Sequence, residues 1–148
     1  MAFELSSEQE MIRLMARDFA KKELEPHAAE WDKNGIFPID AVKKMGELGL
    51  LGMMVPPEMG GSGAGAVSYS LALQEIAYAC ASSAVTMSVA NLSTEPLLKF
   101  GTNEQKKKWL TELASASLLG AFALTEPNAG SDPGSMTTTA VLKKDKYI

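Results

Sequence analysis

The sequence predicts a mainly α protein, an up-down helical bundle followed by the first strands of a β domain, and three observations carry that reading. Apolar side chains return every three or four positions along most of the first 117 residues, the spacing of amphipathic helices. Two of these stretches open on the pattern of a capping box. After Ser117 the periodicity changes: a continuous apolar run, a turn-forming stretch and a β-branched run follow one another. A boundary near residue 118 is expected, dividing the chain into a helical domain, 1–117, and the beginning of a β domain, 118–148.

The elements follow in order. Ser7-Glu8-Gln9-Glu10 fits a capping box, in which the serine and the glutamate three positions on satisfy amides that have no partner in a first helical turn. Met11, Ile12, Leu14, Met15 and Phe19 then recur opposite Arg13, Arg17, Asp18, Lys21 and Lys22, predicting an amphipathic helix to about Leu24. Pro26 breaks or kinks it. A short helix with Pro26 in its first turn runs towards Asp32 and stops at Asn34-Gly35, and a third spans Pro38 to Leu48. The apolar run Leu50 to Val55 is closed by Pro56-Pro57 and leads into the glycine-rich Gly60-Gly61-Ser62-Gly63-Ala64-Gly65. Two long helices are expected next, roughly Ala66 to Ala81 and Ser83 to Phe100, the second kinked or shortened by Pro96 and ended by Gly101. Thr102-Asn103-Glu104-Gln105 opens a last helix with Trp109, Leu110 and Leu113 as its apolar stripe. Beyond it, Leu118 to Leu124 and Met136 to Leu142 read as strands, with Thr125 to Ser135 turning between them. Two strands with no sheet to complete them are marginal in water, so an unpaired edge is expected there, disordered or paired between molecules.

Composition excludes several function classes. A formal net charge of −4, with Lys106-Lys107-Lys108 as the longest basic run, leaves no electrostatic footprint for nucleic acid. Cys80 is the single cysteine, so neither an intrachain disulfide nor a cysteine-rich zinc site can form, and it reads as a small buried apolar residue in a reducing compartment. Met1 to Ser6 carry no leader pattern, which makes the expected location cytoplasmic. No residue from Ile76 to Thr94 is charged, about the length of a bilayer span. Serine, threonine and asparagine interrupt that stretch and alanine dominates the rest, so it gains little in lipid and is expected to be a buried helix.

Gly61-x-Gly63-x-x-Ala66 loosely matches a dinucleotide fingerprint, yet Pro56-Pro57 stand where the first strand would enter the turn and no strand ending in an acidic residue follows. A flexible connector is expected instead. His27 has no companion ligand nearby and reads as a solvated surface histidine. Lys106 to Lys108, Asp18, Glu23, Glu25 and Glu30 read as surface charges. The segment from Gly120 to Asp132 differs from these: an apolar strand delivers a threonine and then a tight Pro-Asn-Ala-Gly-Ser loop at a β edge. Small residues there let a bulky planar or phosphorylated ligand approach the main chain, and successive amides can form an anion-binding nest. By mechanism alone this is a ligand-loop candidate, and an ordinary surface turn fits at least as well.

Leu124-Thr125-Glu126-Pro127-Asn128-Ala129-Gly130-Ser131-Asp132 resembles the signature of the acyl-CoA dehydrogenase family: threonine, glutamate, proline, a small residue, alanine, glycine, serine, aspartate. The resemblance extends in order and spacing through Phe19-Ala20, the Asp32 to Pro38 turn, Gly46 to Gly52, Pro57 to Gly61 and Phe100-Gly101-Thr102-Asn103-Glu104-Gln105-Lys106. It implies a helical N-terminal domain, a β-barrel middle domain and a helical C-terminal domain, with FAD between the latter two. It further implies that Phe122, Leu124 and Thr125 lie along the flavin ring, with the Thr125 hydroxyl or amide bonding its pyrimidine edge, and that Gly130 and Ser131 approach the diphosphate. Ser131 would also touch the acyl-CoA. The matching segment of the helical domain lines the acyl-chain pocket, which would bring Val85, Ser88, Val89 and Leu92 near the substrate tail. Their i, i+3, i+4, i+7 spacing puts them on one helix face, a pattern that core packing produces equally well.

The implied reaction is α,β-dehydrogenation of an acyl-CoA thioester, in which a carboxylate removes the α-proton while the β-hydrogen leaves as hydride to the flavin. In the family the base is a glutamate of the C-terminal domain, which these 148 residues do not reach, so the chain is expected to be inactive alone. Glu126 is expected to hold its loop through local hydrogen bonds. An electron-transferring flavoprotein as electron acceptor and a homotetramer for the complete enzyme are implied as well. Two other readings stay open: a non-enzymatic helical interaction module derived from the same fold, and part of an acyl-CoA oxidase.

Overall fold

Ser6, rather than Ser7, starts the first helix. Its hydroxyl accepts from the Gln9 amide at 3.2 Å while Gln9 Oε1 accepts from the Ser6 amide at 2.9 Å, a complete capping box one position earlier than expected. The structure, a computed structural model, describes residues 4–148, so Met1, Ala2 and Phe3 of the stretch read for a leader lie outside the described residues. Helix α1 (Ser7–Phe19) continues through a π-helical turn, Ala20–Leu24, where the Glu25 amide donates to the Ala20 carbonyl at 2.9 Å. Helix α2 (Ala28–Asn34) begins after Pro26 instead of around it and ends at Gly35, whose φ of 63° suits glycine. Helix α3 (Ile39–Glu47) is followed by an irregular segment and a 3₁₀ turn at Pro57–Met59.

Helices α4 (Gly65–Ala79), α5 (Ala81–Phe100) and α6 (Asn103–Ala114) complete the helical part. Helix α5 passes through Pro96 to Phe100, so the proline does not shorten it. The second capping box stands where expected, with Thr102 and Gln105 exchanging bonds of 3.2 and 2.8 Å. The uncharged stretch from Ile76 to Thr94 is divided between two helices, since Cys80 is extended (φ −155°, ψ 102°) and separates α4 from α5. No helix among the described residues is long and apolar enough to cross a membrane.

Helix α1 packs on α4, α4 on α5, α5 on α6, and α3 lies against α5. Their shared core joins Ala16, Phe19, Ala20 and Leu24 to Val42 and Met45 of α3, Leu50, Leu51 and Met53 beyond it, Ala72 and Ile76 of α4, and Ala84, Met87 and Ala90 of α5. Alanine at so many contacts lets the helix axes approach closely, and each fully buried Leu, Ile or Met contributes about 1.5–3 kcal/mol. Two ion pairs tie the layers: Arg17 meets Glu75 of α4 in a bidentate pair at 2.7 and 2.9 Å, and Lys44 of α3 meets Glu23 at 2.5 Å. Glu23 is therefore a partnered side chain and not a free surface charge. The apolar stripes also shift from the expected ones, because Met11 and Leu14 of α1 are exposed, and Trp109 of α6 turns outward under Lys108 while Leu110 and Ala114 are buried.

The β part differs most from expectation. Residues 118–124 form no strand, and of the run from Met136 to Leu142 only Leu142 belongs to one. A strand is defined by its neighbour: the first run has no partner strand among the described residues, and the second meets one only at its end, where Leu142 pairs with Tyr147. The regular β structure is a small antiparallel hairpin, β1 (Leu142–Lys143) and β2 (Lys146–Tyr147), with Leu142 opposite Tyr147 and Lys143 opposite Lys146. Lys144 turns it at φ 60°. Residues 118–122 nevertheless have a fixed place against the bundle: a Cβ on Gly120 would lie 2.0 Å from Ser93 Oγ of α5, so only glycine allows that approach.

Candidate functional site

Helix α5 presents two different faces. Ser83, Ala84, Met87, Ala90, Asn91 and Thr94 are buried and face the bundle. Val85 and Leu92 are 62% and 43% exposed, and Ser88 and Val89 are half-buried, so this second apolar face is not used for core packing. Val85 and Val89 line an apolar cleft of about 360 Å³ together with Phe37, Ala90 and Phe122. Ser88 and Leu92 line a second cleft of about 260 Å³, beside Met54, Tyr69, Asn91 and Glu95. Phe122 thus shares a cleft with Val85 and Val89, and Ser88 and Leu92 line the other cleft along the same face of α5.

Asn91 holds the wall of the second cleft in place. Its Oδ1 accepts from the Met53 amide at 2.9 Å, and its Nδ2 donates to the carbonyls of Leu50 and Met87 at 2.8 and 3.0 Å. A buried amide with its polar atoms satisfied fastens the Leu50–Met54 segment to α5. Asn91 and Phe37 were not among the expected site residues. Phe37 could have been found as a large apolar residue stranded just past the Asn34-Gly35 stop, whereas nothing in the pattern singles out Asn91.

The loop after Leu124 is built from its own polar groups. Glu126 and Ala129 exchange backbone bonds of 2.7 and 3.2 Å around the Pro127-Asn128 turn. The Glu126 carboxylate accepts from the Thr137 amide at 2.8 Å, the Thr137 hydroxyl at 3.1 Å and the Thr138 amide at 3.1 Å. These bonds from Thr138 and Thr137 hold its pKa down at about 2, so it stays ionised and acts as a loop brace. Asp132 accepts from the Gly134 amide at 3.1 Å and the Ser135 hydroxyl at 2.6 Å. Among the described residues, no hydrogen bond engages the amides or hydroxyls of Thr125 and Ser131 or the amide of Gly130. A Cβ on Gly130 would meet nothing nearer than Thr125 Cγ2 at 3.5 Å, so the chain's own packing leaves room there.

The earlier glycine-rich loop is the opposite case. The amides of Gly61, Ser62, Gly63 and Gly65 donate to the carbonyls of Pro56, Gly52, Val55 and Met53 at 2.9–3.3 Å, and Thr111 Oγ1 donates to Met59 at 3.1 Å. A Cβ on Gly61 would lie 2.1 Å from the Val55 carbonyl oxygen. This connector is pinned rather than flexible, and these four amides are spent internally. His27 is exposed and stacks on Trp31 at 5.4 Å, and Cys80 is buried within hydrogen-bond distance of the Ser82 and Ser83 hydroxyls. Among the described residues no cluster of His, Cys, Asp or Glu could hold a metal ion.

Open donors at Thr125, Gly130 and Ser131, room beside Gly130, and the exposed apolar side chains of Phe122 and Leu124 suit a planar ring joined to an anionic diphosphate. A helical bundle that passes its chain to such a loop has the architecture of the acyl-CoA dehydrogenases. The family model for the acyl-CoA dehydrogenase N-terminal domain matches residues 6–117, and the chain belongs to this family. Probable acyl-CoA dehydrogenase YngJ of Bacillus subtilis (strain 168) is 52% identical over 149 aligned positions, which cover 100% of this chain and 39% of that protein. A chain solved in work on the electron transferring flavoprotein of Acidaminococcus fermentans superposes with a TM-score of 0.95 at 44% identity, covering 100% of this chain and 39% of its own. An acyl-CoA dehydrogenase from Bacillus anthracis, solved in complex with FAD, superposes with a TM-score of 0.89 at 37% identity, covering 98% of this chain and 25% of its own. The chain therefore spans about two-fifths of the length of the curated relative.

Proposed function

We propose that this chain forms the N-terminal wall of the FAD and acyl-CoA site of an acyl-CoA dehydrogenase, with residues 1–117 as the helical domain and 118–148 as the start of the middle β domain. The observation that carries the proposal is the loop from Thr125 to Ser131, whose donors stay open while the loop itself is braced by Glu126. Bound FAD supplies the hydride acceptor. The Thr125 hydroxyl or amide would bond the pyrimidine edge of the ring and favour negative charge there, Phe122 and Leu124 would lie along the ring, and Gly130 and Ser131 would approach the diphosphate. Ser131 also meets the CoA part of the substrate, and the α5 face with Val85, Ser88, Val89 and Leu92 holds the acyl tail. Glu126 is not the base: a carboxyl with a pKa of about 2 and three bonds to Thr137 and Thr138 has no affinity to spare for a substrate proton. The base belongs to the family's C-terminal domain. An electron-transferring flavoprotein as electron acceptor, a homotetrameric enzyme and a cytoplasmic location complete the reading. The likeness to the Acidaminococcus fermentans chain supports the first, and the free buried thiol of Cys80 fits the last.

The test is a graft. Residues 1–148 replace the matching stretch of the Bacillus subtilis relative, and the purified chimera is examined for bound flavin. A yellow protein that bleaches anaerobically on adding an acyl-CoA is expected, whereas the 148-residue chain alone stays colourless. A chimera that melts cooperatively yet binds no FAD overturns the proposal, and rapid peroxide formation in air would assign the enzyme to the oxidases.

A further inference from the structure

We infer that Glu126 is a positioning residue of this site, a carboxylate latch that closes the 126–138 loop so that Thr125, Gly130 and Ser131 stand preformed for a flavin nucleotide. The inference rests on the flavin reading above. The latch spans eleven and twelve residues: one carboxylate oxygen holds the amide and hydroxyl of Thr137, and the other holds the amide of Thr138. Within the closed loop, the Glu126–Ala129 backbone pair fixes the Pro127 turn, and Asp132 fixes the Pro133–Ser135 turn through Gly134 and Ser135. Both carboxylates are thus directed at the loop's own donors.

The loop needs such a device because it has little apolar substance of its own. Ala129 is its one buried apolar residue, and a stretch of small and polar residues would otherwise lose much of its ordering entropy only when the ligand arrived. Any such loss subtracts from affinity, and a loop ordered beforehand avoids it. Because the Glu126 carboxyl is already ionised far below neutral pH, the latch is closed throughout the range in which the enzyme would work.

The experiment compares Glu126→Ala, Glu126→Gln and Thr137→Ala in two settings, the 148-residue chain and the FAD-binding chimera. In the chain, Glu126→Ala is expected to remove hydrogen-exchange protection from the Thr137 and Thr138 amides and to move the Gly130 and Ser131 amide resonances, with the melting of the helices unchanged. In the chimera, Glu126→Ala is expected to weaken FAD binding about tenfold or more, the value of losing a charge-assisted bond. Glu126→Gln keeps one acceptor oxygen and is expected to restore part of that affinity, and Thr137→Ala to weaken binding least. An unchanged loop in Glu126→Ala overturns the inference, as does a loosened loop with unchanged FAD affinity. If the unsubstituted chimera binds no FAD, the parent reading fails first and takes the inference with it, an outcome visible without any variant.

Discussion

At the scale of single residues, Asn91 and Glu126 do comparable work in different surroundings. Asn91 is buried in the bundle, and its removal would strand the Met53 amide and the Leu50 carbonyl away from water. Asn91→Ala is expected to cost about 3 kcal/mol, since each stranded group costs about 1–3 kcal/mol, and urea unfolding of the two proteins measures it. Glu126 sits at the surface, where pH is the natural probe. Its pKa falls on folding from an ordinary 4.5 to about 2, so its contribution is fully present above pH 4.5 and is lost as the pH drops through 2. The Thr137 and Thr138 amide resonances are expected to stay fixed between pH 7 and about 4 and to move as the pH drops through about 2. The bracing role of Glu126 was legible from the sequence, because the resemblance places the base in the C-terminal domain and leaves Glu126 to hold its loop. Its donors were not, because bonds between a side chain and a backbone eleven residues away leave no periodic trace. Asn91 was illegible for the same reason, and in the sequence it is one polar residue among several that interrupt an apolar stretch.

At the scale of elements, what was legible is what depends on neighbours in sequence. Both capping boxes, the stop at Gly35 and the order of all six helices follow from local chemistry. The first box was misplaced by one residue because Ser6-x-x-Gln9 and Ser7-x-x-Glu10 fit the same rule, and only the folded chain shows which hydroxyl accepts the amide. This distinction predicts that Ser6→Ala lowers stability by about 1 kcal/mol while Ser7→Ala, inside the helix, changes it by less than about half of that, as thermal melts of both variants would show. The strands were legible only as extended chain. Alternation and β-branching describe a backbone that can pair, but a ladder needs a second strand at the right distance, and residues 118–124 have none beside them, Gly120 lying against α5 instead. The composition of the glycine-rich connector suggests flexibility, while the amides of Gly61, Ser62, Gly63 and Gly65 are taken up by the carbonyls it folds back on.

At the scale of the whole molecule, α5 is at once part of the core and the wall of the clefts. Helical spacing showed that Val85, Ser88, Val89 and Leu92 share a face, but spacing cannot say which apolar face meets a neighbouring helix, and small residues on both faces of α5 hid the difference. The structure assigns the bundle to Ala84, Met87 and Ala90 and leaves Val85 and Val89 beside Phe122. The two faces are therefore expected to respond differently to substitution. Met87→Ala empties a fully buried site and is expected to cost about 2–5 kcal/mol in urea unfolding. Val85→Ser and Val89→Ser leave the core untouched and are expected to shift stability by less than about 1 kcal/mol. In the acyl-CoA-reducible chimera the order reverses: the two valine variants raise KM for acyl-CoA about tenfold, the value of one or two lost methylene contacts, while Met87→Ala, assayed well below its melting temperature, leaves KM near that of the unsubstituted protein. Val85→Ser as costly to folding as Met87→Ala would mean that the second face of α5 is core after all, and that the acyl chain lies elsewhere.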